Sequence, residues 1–255
     1  MRLTRLLAVV MTVGLLSAAL ATQVAEASQR WSGGEPTVGQ CRKLTTSLIV
    51  DHASNTTSPI SCKRAHNSRV IAVRQLPKSV TWHDLSTDAK LYNVAVSLCY
   101  PAFQAALGQN NAVRDRTAYT WFYFVPTKAQ RAAHQRWVRC DLGLQHATQY
   151  AALPTDHVPA LKDATPSNNV ARCLRLVQRH YLTTTCSTAH TYRSAGTFGV
   201  AKKSFPGETA LLQQGRSRCP KIVATDTNFR WTWNVQPVWN RGHNHTVVCY
   251  KHSAK

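Results

Sequence analysis

Cys62-Lys63-Arg64-Ala65-His66-Asn67-Ser68-Arg69 and Cys186-Ser187-Thr188-Ala189-His190-Thr191-Tyr192-Arg193 share the pattern C-x-x-A-H-x-x-R. The order of landmarks around the two stretches agrees as well. A cysteine precedes each one (Cys41, Cys173), a proline follows (Pro77, Pro206), and a third cysteine then stands close to proline (Cys99 with Pro101, Cys219 with Pro220). Next comes a Trp-rich run ending in proline, Trp121 to Pro126 and Trp231 to Pro237, and a fourth cysteine closes each unit, Cys140 and Cys249. The chain therefore reads as a four-cysteine module written twice. Confining bridges to each module leaves three pairings per copy.

The modules are expected at residues 35–148 and 167–252. Between them residues 149–166, with Pro154, Pro159 and Pro166 and no apolar period, read as a linker. Upstream, Arg2 and Arg5 precede an apolar run at residues 6–20, and Ala25-Glu26-Ala27 offers a small-residue cleavage site before Ser28. Residues 1–27 thus read as a secretory signal peptide. An exported chain with an even number of cysteines and no CxxC pair calls for disulfides rather than zinc.

Within each module the local patterns are mixed. Residues 59–62 and the β-branched run 68–77 predict strands, as do the aromatic runs 119–126 and 229–235 and the closing runs 137–140 and 246–249. Residues 84–99 predict a helix capped by Asp84 or Ser86, with Leu91, Ala95, Leu98 and Cys99 on one stripe, and residues 207–219 are its counterpart. The fold class is α+β: two tandem, disulfide-stabilised modules, each an antiparallel sheet with one covering helix. On that layout the first two cysteines of a module lie on neighbouring strands, and the third, at a helix end, meets the fourth. The preferred pairs are Cys41 with Cys62, Cys99 with Cys140, Cys173 with Cys186 and Cys219 with Cys249.

Chemistry-bearing residues are few. His66 and His190, with Arg69 and Arg193 three residues on, form a repeated candidate polar site, although on extended backbone such positions face opposite sides. A repeated imidazole just past a disulfide is expected to hydrogen-bond the backbone. The competing role is catalytic, in a secreted hydrolase using His66 or His190 with a nearby carboxylate. His243, His245 and His252 lack an acidic or thiol partner to complete a metal site. No carboxylate recurs at matching places, there is no nucleotide or hydrolase fingerprint, and no cofactor or metal is expected.

Charge is the remaining signal. The 255 residues carry 31 Lys and Arg against 11 Asp and Glu, a net charge of +20, yet only 16% of residues are charged, too few for a disordered polycation. Local density at Arg131, Arg136 and Arg139, and at Arg172, Arg175, Arg179, Arg216 and Arg218, marks candidate anion-binding sites. Outside a membrane the partners of such a surface are anionic wall polymers, phospholipid headgroups or released nucleic acid.

The run Val38-Gly39-Gln40-Cys41, then Ile60-Ser61-Cys62 through His66 to Arg69-Val70, a helix bearing Cys99, and Trp137-Val138-Arg139-Cys140 resembles the septum formation family. That family carries G-D/E-C, C-x-x-x-H-x-x-E-V and two later cysteines. The first module resembles it closely and the second more weakly. The resemblance implies an extracytoplasmic, actinobacterial protein of division or envelope biology and fixes no activity. Arg69 and Arg193 stand where the family carries Glu, and Gln40 where it carries an acid, so a role resting on those carboxylates does not carry over. The resulting expectation is a secreted, noncatalytic, envelope-associated protein that binds an anionic wall polymer or a protein partner, with a secreted hydrolase or an extracellular nucleic-acid binder as competitors.

Overall fold

The computed structural model describes residues 35–51, 53–82, 89–155, 165–225 and 227–254. The expected leader, the Asp84 or Ser86 helix cap and residues 156–164 of the linker lie outside the described residues.

The first half runs β1 (Cys41–Arg42), α1 (Thr46–Val50), β2 (Ser68–Gln75), α2 (Ala89–Leu107), α3 (Asn111–Arg114), β3 (Tyr119–Phe124), α4 (Lys128–Ala132), β4 (Trp137–His146) and β5 (Gln149–Tyr150). Its antiparallel sheet has the order β1-β2-β4-β3, with β5 folded back on β4. The second half runs β6 (Arg172–Val177), β7 (His180–Thr185), β8 (Tyr192–Gly199), α5 (Glu208–Val223), β9 (Phe229–Trp233), α6 (Gln236–Arg241) and β10 (Thr246–His252), and its antiparallel sheet has the order β7-β6-β8-β10-β9. The protein is thus α+β.

The internal repeat extends to strand register. Cys41 faces Arg69 across β1 and β2, and Cys173 faces Arg193 across β6 and β8. Cys140 faces Ala72 on one side and Tyr123 on the other, just as Cys249 faces Gly196 and Trp231. Disulfides join Cys41 to Cys62, Cys99 to Cys140, Cys173 to Cys186 and Cys219 to Cys249, the pairs preferred from the layout of elements.

Each covering helix is held by a stripe of period close to four. On α5 the buried residues are Leu211, Gly215, Cys219 and Val223. Gly215 is required there, because a Cβ at this position would collide with the indole of Trp231 on β9 at Nε1. On α2, Leu91, Ala95, Cys99 and Ala102 pack on Ala72, Val138 and Cys140, while Val96, Tyr100, Phe103 and Leu107 form a second stripe. Helix α2 continues past Cys99, where the sequence pattern ended it, to Leu107. Pro101 is on its exposed side, so the carbonyl left without an amide partner faces solvent.

Other local readings need correction. Residues 59–62 make no strand: Ile60 only bridges Cys41, and a turn at Ser61 follows, because the backbone must reverse to bring Cys62 back to Cys41. Pro237 does not simply end the aromatic strand but sits in the first turn of α6, where its missing N–H has no helical partner to lose.

The described residues from Pro36 onward form one compact unit. Antiparallel backbone bonds join the halves, Ala118 N to Val170 O and Arg172 N to Arg116 O, each 2.7 Å, and Ala147 N donates to Thr183 O at 2.8 Å. Val238 of α6 shares a core cluster with Tyr100, Phe103 and Leu107 of α2.

Candidate functional site

The repeated histidines are buried, His66 with 1% exposure and His190 with 8%. Both bond the same way: His66 Nδ1 is 2.8 Å from Arg64 O, and His190 Nδ1 is 2.7 Å from Thr188 O, each the carbonyl two residues back. This ring-to-backbone bond closes the turn that follows Cys62 or Cys186. Neither imidazole has a carboxylate among its hydrogen-bond partners. The neighbouring arginines diverge, for Arg193 Nη1 donates to Asn168 Oδ1 at 2.6 Å and no hydrogen bond joins Arg69 to His66. The four residues are therefore not one polar site but two copies of a turn lock, with the arginines across the strand from Cys41 and Cys173.

The arginines separate into distinct environments. Arg139 is not a surface anion-binding group: at 2% exposure it makes a two-point ion pair with Asp141, Nε to Oδ1 at 2.8 Å and Nη2 to Oδ2 at 3.0 Å, and lies over Phe124. Strand alternation explains this, since residues 139 and 141 share the face of Phe122 and Phe124, which Leu44 and, on α1, Ile49 cover. Ser68 Oγ donates to the same carboxylate at 2.6 Å. Burial, with Arg139 nearby and only partly offset by Asp141, pulls the Arg42 guanidinium down to about 10. Arg131 and Arg136 clasp the Trp82 ring, at 5.3 and 5.0 Å from its centroid, while donating to carbonyls of Pro126, Pro77 and Val80. Arg172 is half-buried at the junction, with Nε on Thr117 O at 2.8 Å.

Arg175, Arg179, Arg216 and Arg218 are exposed on the second half. Arg175 is on β6 and Arg179 is in the tip of the β6–β7 hairpin, whose two turn residues, Gln178 and Arg179, have φ of 46° and 71°. Arg216 projects from the solvent side of α5, and Arg218 lies 4.0 Å above Phe198. Lys202, Lys203, Lys221, Arg230 and Lys251 are also exposed on this half, and local charge density did not single them out. The signal that identifies them is regional: residues 167–255 hold 13 Lys and Arg and two acids, Glu208 and Asp226. Between described residues the one ion pair is Arg139 with Asp141, so this surface has excess positive charge that no described carboxylate neutralises.

A buried polar cluster at the junction also escaped the sequence reading. Asn244 Nδ2 donates to Tyr100 Oη at 2.6 Å and to Asp115 Oδ2 at 2.7 Å, linking the second half to α2 and the end of α3. Burial raises the Asp115 carboxyl above its ordinary range, against the opposing pull of Arg172, Asn244 and Arg114. Three residues so far apart in sequence carry no local motif. Of the terminal histidines, His245 Nε2 meets Trp239 O at 3.1 Å and His252 packs edge-on against Tyr192. Among the described residues no three His, Cys, Asp or Glu side chains gather into a potential metal site, and no helix is long and apolar enough to cross a membrane.

Comparison with known proteins finds a family model described as septum formation over residues 81–249. The match is a single span crossing both halves and does not divide into two family copies. No curated protein and no solved structure matches the chain.

Proposed function

The chain belongs to the septum formation family, and on that premise we propose that it is an exported, noncatalytic envelope protein whose basic second half binds an anionic wall polymer. The observation that carries this reading is the unneutralised surface charge around Arg175, Arg179 and Arg216. A polyanion meeting these groups releases its counterions and needs no enclosed pocket, and the attraction extends only about 8 Å at physiological salt, which favours a dense polymer over dilute small anions. Four disulfides support an oxidising, extracytoplasmic setting. The hydrolase alternative loses support because His66 and His190 are sealed from solvent and spend Nδ1 on the backbone.

The test is charge reversal on positions that pack nothing. Arg175→Glu, Arg179→Glu and Arg216→Glu together are expected to leave the fold intact and abolish low-salt retention on isolated wall. Unchanged retention by the folded triple variant contradicts the proposal.

A further inference from the structure

Strand β3 is the outer strand of the first sheet, with β4 as its one partner among the described strands. The direction of its backbone groups alternates. Gln145 N donates to Ala118 O at 2.9 Å, and from there the register on β4 turns the amides and carbonyls of Thr120, Phe122 and Phe124 toward β4 and those of Tyr119, Trp121 and Tyr123 outward. Val125, next in the outward set, bears this out, because its N–H donates away from β4 to Ala53 O at 2.9 Å. At the other end Ala118 N is taken by Val170 O at 2.7 Å. Between these two closures the edge is open, and among the described residues no hydrogen bond reaches the outward N–H or C=O of Trp121.

A cavity of about 470 Å³ runs along this open edge. The consecutive residues Thr120, Trp121, Phe122 and Tyr123 all line it, and since strand neighbours point to opposite faces, it takes in both faces of the sheet, as a groove along an edge does. On one face Trp121 lies parallel to Tyr92 of α2, and on the other Phe122 packs with Ile49 of α1. Val50 and Val235, 67% and 55% exposed, add an apolar rim from each half. No lining residue is Lys or Arg, and Asp51 is the one charged group, in a chain of net charge +20.

We infer that the edge of β3 binds an extended polypeptide segment of a partner protein by strand addition, the segment being apolar with a basic residue beside Asp51. Unpaired backbone groups supply the attachment and the flanking walls read alternate side chains. Five residues from Tyr119 to Tyr123 span about 17 Å, so the open stretch takes about five residues of an added strand. Sheet edges are ordinarily blunted by charge or proline, and the sequence of β3, YTWFYF, has neither. Successive side chains of the added strand meet the Tyr92–Trp121 wall and the Ile49–Phe122 wall in turn, and both are apolar. A second copy is the poorer occupant, because its own edge carries the same walls and its net charge of +20 repels the first. The inference is independent of the anionic-polymer reading, which rests on exposed arginines of the second half.

The experiment follows tryptophan fluorescence of the full oxidised chain, since Trp121 and Trp233 line the groove, during titration with the capped peptide acetyl-Lys-Val-Thr-Val-Thr-Val-amide. Saturable binding is expected. The same peptide N-methylated at every amide keeps its side chains, cannot donate to the edge and should not bind. Exchanging the peptide's lysine for glutamate should weaken binding by about threefold, the reverse of what general attraction to a basic protein would give, and Asp51→Asn should erase the difference. Val50→Arg with Val235→Arg, both at exposed positions, is expected to weaken binding by at least about tenfold with an unchanged near-UV spectrum. Absence of saturable binding by the wild-type chain, equal binding of the N-methylated peptide, tighter binding of the glutamate peptide, or equal binding by the folded rim variant would overturn the assignment. So would a dimer in sedimentation velocity that the two rim substitutions dissociate, for that would put a second copy on the edge.

Discussion

Replacing Asp141 by alanine removes the only carboxylate from a buried group that also holds two guanidiniums, Arg139 at 2% exposure and Arg42 at 5%. Three hydrogen bonds go with it, two from Arg139 and one from Ser68. Breaking a buried pair by removing one partner costs about 3–5 kcal/mol, because the remaining charge stays desolvated. Here two like charges remain, so the expected loss is toward the upper end, about 4–5 kcal/mol. For a chain of this size that corresponds to a fall in Tm of roughly 10–15 °C. The assay is guanidinium unfolding of the oxidised protein, followed by tryptophan fluorescence, with thermal melts in parallel. Replacing the pair together, Asp141→Leu with Arg139→Met, should recover much of the loss, since an apolar pair of similar volume avoids desolvation altogether. An Asp141→Ala protein within about 1 kcal/mol of wild type, or a double variant no better than the single one, would refute the reasoning.

Other outcomes follow from the same structure. Because the folded Asp115 carboxyl is raised by burial, the folded state holds a proton that the unfolded chain has lost over the window between the ordinary carboxylate value and the raised one. Stability from this group is therefore full below that window and declines as pH rises through it. Asp115→Asn should flatten this slope in urea titrations at several pH values, and an identical slope in both proteins would contradict the burial argument. Gly215→Ala should cost about 1–3 kcal/mol and change the near-UV signal, as Trp231 is pushed off α5. Removing Cys99–Cys140 should destabilise by about 1 kcal/mol more than removing Cys173–Cys186, from the longer loop it closes, 41 against 13 residues, when both double-alanine variants are compared by denaturation. His66→Ala and His190→Ala should each lower stability by about 1–3 kcal/mol through the lost turn bond, measured by thermal melts; an unchanged melt would return both residues to the list of functional candidates.

What the sequence disclosed was what repeats or what has a local period. The C-x-x-A-H-x-x-R pairs mark identical turns in identical registers, and the aromatic alternation of residues 119–124 and 229–233 is that of real strands. The β6–β7 hairpin was missed because its tip is Gln178-Arg179, both at positive φ, where Asn-Gly is the usual signal. Helix α4 carried a readable start, Thr127 with Gln130 closing a capping box, in a segment too short to show a period. Arg139 looked like surface charge because composition counts charges without their partners; strand alternation puts Asp141 on its face, and register with β2 brings Ser68 to the same carboxylate. The junction cluster of Asp115, Asn244 and Tyr100 depends on how the halves dock, which no local pattern encodes.

The most direct test of the central claim is cosedimentation of the oxidised protein with purified wall, intact or stripped of anionic polymers, across a salt series. The account predicts a salt-labile bound fraction on intact wall that is lost by about 1 M salt and is absent from stripped wall at every salt. No salt-labile fraction on intact wall, or one that survives stripping undiminished, would contradict it.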